Sequence, residues 1–90
     1  MRIKQLLVLA RRDHAEAMRV AAGLTISGHA VRLVFMTKMV TDSAENREQA
    51  ETLELCDIEP ETTVAGEDLA FLDSAALSLA LLKADDIVML

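Results

Sequence analysis

Ninety residues suffice for one domain with one hydrophobic core, and residues 1–90 read as a single unit. Fifteen acidic against nine basic residues give a net charge of −6, and Phe35 and Phe71 are the only Phe, Tyr or Trp. This argues against nucleic acid as a partner, because a phosphate backbone calls for clustered Lys and Arg and single strands call for stacking rings. Hydrophobic residues make up 52% of the chain, yet no apolar run approaches the roughly 20 residues of a membrane span. The surplus is expected to be buried in protein, part of it against other subunits of a homo-oligomer or hetero-oligomer.

Leu6 to Leu9 is an apolar run too short to cross a bilayer and too continuous for a strand with one wet face, so the first strand, Ile3 to Ala10, reads as a central parallel strand. Arg11, Arg12 and Asp13 follow at once without a small-residue cleavage site, which marks a strand and not a signal peptide. Asp13 with Glu16 three residues on is a helix-opening pair. Ala17, Val20, Ala21 and Leu24 recur on one face, and Gly28 ends the helix where a left-handed residue costs little. Ala30 to Met36 is the second strand of a βαβ unit, reached by a right-handed crossover.

Thr37 to Asp42 is a polar connection. Asp42 and Glu45 then repeat the opening spacing of a second helix that runs to Cys56 or Asp57, with a narrow apolar stripe of Ala50, Leu53 and Cys56. Pro60 bars its continuation, Thr62 to Val64 is expected as a short third strand, and Gly66 with Glu67 begins a turn. Asp73 or Ser74 caps a third helix over Ala75 to Lys83. That helix is apolar nearly all round and so is expected to be buried, partly by a neighbouring subunit. Ile87 to Leu90 is a final strand. The fold class is therefore α/β, a three-layer sandwich around a mainly parallel sheet of four to five strands, flavodoxin-like in architecture.

The strand, the capped helix with Ser27, Gly28 and His29, and the strand Val31 to Met36 resemble the opening of the DsrE/DsrF-like family of small sulfur-relay proteins. Leu53 to Pro60, with Leu55, Asp57 and Ile58, resembles the segment before the active loop in the DsrF and TusC branch. Leu81 to Leu90, with Ala84, Asp85 and Asp86, resembles the closing helix and strand. The resemblance implies dimers, trimers or hexamers and, in active members, a persulfide-carrying cysteine just after the third strand. Val64, Ala65 and Gly66 stand there without a thiol, so the resemblance implies an oligomeric accessory or binding subunit of bacterial sulfur metabolism whose chemistry belongs to a partner.

Cys56 is the one thiol, which excludes an intrachain disulfide and suits a reducing, cytoplasmic setting. Glu51, Glu54, Asp57 and Glu59 surround it, and a helix carboxyl end adds negative potential, a setting that disfavours the thiolate. A packing role is expected. The alternative is a persulfide-carrying sulfurtransferase with Cys56 as its catalytic residue, activated by Arg11, Arg12 or Lys38 of a neighbouring subunit. Open α/β sheets bind ligands at the carboxyl ends of their strands, where Arg11, Arg12, His14 and Lys38 could meet a small anion in a regulatory module. No glycine-rich loop points to a nucleotide, no cofactor is called for, and His14 lacks neighbours at metal-ligand spacing. His29 reads as structural.

Overall fold

The computed structural model describes residues 3–36, 43–66 and 69–90. The elements in chain order are β1 (Gln5–Ala10), α1 (His14–Ile26), β2 (Ala30–Phe35), α2 (Ala44–Leu55), β3 (Glu61–Thr62), β4 (Ala70–Phe71), α3 (Ser74–Lys83) and β5 (Asp86–Met89). The five strands form one sheet in the order β4-β3-β2-β1-β5, and every pairing is parallel. β1 and β2 pair along their whole length, from Gln5 opposite Ala30 to Ala10 opposite Phe35.

Alternation along the strands assigns the two faces. Val8, Ala10, Leu33 and Phe35 point to one side, where they meet Ala17, Met18, Ala21 and Ala22 of α1 and Leu53 of α2. Leu7, Leu9 and Val34 point to the other, where they meet Leu72 and Ala80, with Ala76 and Leu77 of α3 packed alongside. The layers are thus α1 and α2, the sheet, and α3. From β1 to β3 the chain steps one way with its helices on one face, and from β4 to β5 it steps back with its helix on the opposite face. Reversing both keeps one hand of crossover, as a right-twisting sheet requires.

Local chemistry fixes the helix ends. The Asp13 side chain accepts the Glu16 amide at 3.0 Å, and Asp73 accepts that of Ala76 at 2.8 Å. α2 departs from expectation: Ser43, whose Oγ accepts the Asn46 amide at 3.1 Å, is the cap, and Asp42 lies outside the described residues. α1 and α2 end in the same motif. The amides of Gly28 and His29 reach back to Thr25 and Leu24, and those of Asp57 and Ile58 to Glu54 and Leu53. Each motif needs one left-handed residue; at α1 this is Gly28 (φ 95°) and at α2 it is Asp57 (φ 58°). The second motif also brings Ile58 onto Leu53, and both are buried.

The sheet edge departs from expectation. The third strand is Glu61–Thr62, earlier than Thr62 to Val64, and is held by the paired hydrogen bonds from Arg32 to Glu61 at 3.0 and 2.9 Å. The fifth strand, within the four to five expected, is the two-residue β4, a position that no run in the sequence marks. α3 forms where expected, and within this chain only its Ala80 is buried, while Leu79 is 56% and Leu82 82% exposed.

Candidate functional site

The connection from β3 to β4 spans only residues 63–69, fewer than the dozen or so that parallel neighbours usually need for a covering helix. α2, on the same side of the sheet, does not fill the gap. Its polar sequence leaves a thin inner stripe, so it leans mainly on α1 and its single fully buried residue is Leu53. Between α2 and the β2–β3–β4 side of the sheet lies an open cavity of about 720 Å³.

Met18 and Phe35 floor this cavity from the core. Ala50 and Leu53 enter from α2, Ile58 and Pro60 from the segment after it, and Leu69 and Ala70 from the β4 edge. Asn46, Glu54, Asp57 and Glu59 supply its polar lining. Asn46, Ala50, Leu53, Glu54 and Asp57 are spaced by four, three, one and three residues, which is one face of α2 and its continuation. The Leu53 and Ile58 backbones are tied by a 3.0 Å hydrogen bond, so the wall and the start of the rim are built from the same helix end. No ion pair joins Glu54, Asp57 or Glu59 to another described residue.

The residues singled out from sequence are distributed differently. The sheet changes direction between β1 and β5, the usual binding crevice of an open α/β sheet. Here the Leu90 carbonyl enters that crevice and accepts the amides of Arg12 and Asp13 at 3.2 and 3.3 Å. Arg12 and His14 share a small polar cleft with Asp13, Ser43, Glu45 and Asn46. Arg11 turns instead toward Met89, its guanidinium 3.3 Å from the sulfur. His14 is 5% exposed and its ring lies 5.0 Å from that of Phe35, tilted by 56°. Thus His14 closes the top of the α1 core, Asp13 places a carboxylate over the helix amides, and the donors an anion would use are partly engaged within the chain. Lys38 lies outside the described residues.

Cys56 is the carboxyl-terminal cap of α2. It is half-buried, packs against the α1-side core, and its amide reaches the Thr52 and Leu53 carbonyls, each at 3.1 Å. It is not among the residues lining the cavity. His29 has the structural place expected of it, with Nδ1 accepting the Lys4 amide at 3.3 Å. Among the described residues no group of three or more His, Cys, Asp or Glu is placed to hold a metal ion, and no helix is long and apolar enough to cross a membrane.

The perturbed titrations lie away from the cavity. A two-pronged hydrogen bond from Arg19 holds the Glu16 carboxyl below its ordinary value, and Glu16 raises Arg19 in return. Hydrogen bonding to Glu61 likewise raises Arg32. These are surface pairs that stiffen α1 and the β2–β3 edge. The fold and cavity define a small doubly wound α/β protein with an apolar recess on one face and a bare apolar helix on the other. No family model, curated protein or solved structure matches the chain.

Proposed function

We propose that this protein is a non-catalytic, oligomeric binding or accessory subunit, DsrE/DsrF-like in kind, that works in the cytoplasm beside the enzymes of bacterial sulfur metabolism. The family and pathway rest on the sequence resemblance. The observation that carries the assembly is α3. Ala75, Leu79 and Leu82 line its outer side at helical spacing, and all three are exposed. Ile87 and Met89 of β5 share register with Leu7 and Leu9, so they extend the apolar surface along the same sheet face.

Charge favours a second copy as the occupant. The chain carries fifteen acidic residues, but none between Ser74 and Ala84, so two acidic copies can meet through α3 with little repulsion. Two α3 helices packed antiparallel bring Ala75 opposite Leu82 and place Lys83 of each copy beside Asp73 of the other. Such a contact is self-complementary about a twofold axis, as an isologous interface must be.

Sedimentation across a hundredfold range of protein concentration tests the reading, with Leu82→Lys as the variant. Leu82 is 82% exposed in the single chain, so the variant should fold normally and sediment as a monomer. An unaltered assembly, or a wild-type chain that is monomeric throughout, refutes it. Thiol labelling addresses the role of Cys56: slow native labelling and no added sulfur mass after a persulfide donor are expected. Fast labelling with a sulfur adduct would instead make Cys56 the carrier of a relay enzyme.

A further inference from the structure

We propose that the cavity beneath α2 binds a small organic cation, an apolar body carrying a protonated amine. Its volume of about 720 Å³ falls within the roughly 300–1,000 Å³ of ordinary small-molecule sites. The inner surface formed by Met18, Phe35, Ala50, Leu53, Ile58 and Leu69 offers a solute the removal of apolar area from water. Charge at the rim sets the class of solute. Glu54, Asp57 and Glu59 supply three carboxylates, and among the described residues no Lys or Arg lines the cavity and none is ion-paired with the three.

These carboxylates sit on fixed backbone. Glu54 closes the last turn of α2, Asp57 is the left-handed residue of its terminal motif, and Glu59 follows directly before Pro60. A recess of this kind admits an apolar group and holds an ammonium at its mouth, where the surrounding low-dielectric wall strengthens the attraction. A carboxylate of the same shape would meet the rim as a like charge. A neutral alcohol would gain only the burial. The inference does not depend on the oligomeric reading, because α3 covers the opposite face of the sheet.

The test uses three probes of one shape, 4-phenylbutylammonium, 4-phenylbutanol and 4-phenylbutyrate, titrated at pH 7 by calorimetry and by amide chemical shifts. The ammonium should bind about tenfold more tightly than the alcohol, and the butyrate most weakly. Shifts should concentrate at Ala50, Leu53 and Leu69. Glu54→Gln combined with Glu59→Gln should bring the ammonium down to the alcohol's affinity, and Ala50→Phe, which fills the recess, should abolish binding of both. All three positions changed are exposed or half-buried, and the unfolding midpoint of each variant verifies its fold. Binding should persist in the Leu82→Lys variant. No saturable binding of the ammonium, equal affinity for the three probes, or binding undiminished by Ala50→Phe would overturn the proposal.

Discussion

Two glycines five residues apart in and beyond α1 should respond to the same substitution with opposite signs. Gly23 lies inside the helix, and a methyl group built on it meets nothing within 4 Å. Gly23→Ala should therefore add about 0.5–1 kcal/mol, the difference in helix propensity and unfolded-chain entropy. Gly28 also has open space around it, but its φ is +95°. Gly28→Ala gains the same entropy in the unfolded chain and loses more to left-handed backbone strain, for a net cost of about 1 kcal/mol. Neither change creates or removes a side-chain contact, so backbone conformation alone sets the sign. In a domain of this size 1 kcal/mol moves the unfolding midpoint by roughly 4–8 °C. Urea and thermal unfolding, at one protein concentration because assembly contributes to stability, should show Gly23→Ala above and Gly28→Ala below the wild type. The double variant should equal the sum within about 0.5 kcal/mol. Shifts of the same sign would refute the account of how α1 ends.

Asp57→Gly should stabilise by up to about 1 kcal/mol in chemical denaturation, since it removes both a left-handed side chain and a carboxylate at the negative end of α2. Leu53→Ala should cost about 2–5 kcal/mol because Leu53 is 1% exposed, whereas Leu55→Ala, two residues on at 87% exposed, should change the same midpoint by less than about 0.5 kcal/mol. The Glu16 carboxyl is held below its ordinary value by Arg19. Its contribution is therefore complete above that ordinary value and lost as pH falls through the lower folded value. Glu16→Gln should accordingly flatten the acid limb of a stability–pH profile and leave its neutral to alkaline limb unbent.

The central half of the fold is legible in the sequence because burial and periodicity agree there. β1 and β2 are apolar apart from Gln5 and Arg32, and Asp13, Gly28 and Asp73 occupy positions where the backbone asks for those residue types. The opening of α2 misleads because Asp42 and Ser43 offer equivalent caps one residue apart. β4 escapes detection since Ala70 and Phe71 are too few to show alternation and hold their place through the neighbouring strand alone. The all-round apolar character of α3 is legible in the sequence, and this chain leaves Leu79 and Leu82 on its outer side exposed. Cys56 is readable as a helix cap because a polar turn and Pro60 follow it. The cavity is not, since it arises from the angle of α2 and from a helix that the short 63–69 connection leaves out. In retrospect two signals point to it: the thin stripe of Ala50 and Leu53 on an otherwise charged helix, and the brevity of that connection.

β3 and β4 contribute two residues each to a sheet whose central pair runs six, and they form its outer edge beside the cavity. Local opening follows the number of bonds that must break together, so protection against hydrogen exchange should fall steeply from β1 and β2 toward β4. The recess is then bounded by one wall anchored in the most persistent part of the molecule and another that can yield at little expense. Solutes of unequal bulk could share such a site, with the sheet's weak margin adjusting to each while β1, β2 and α1 keep their packing.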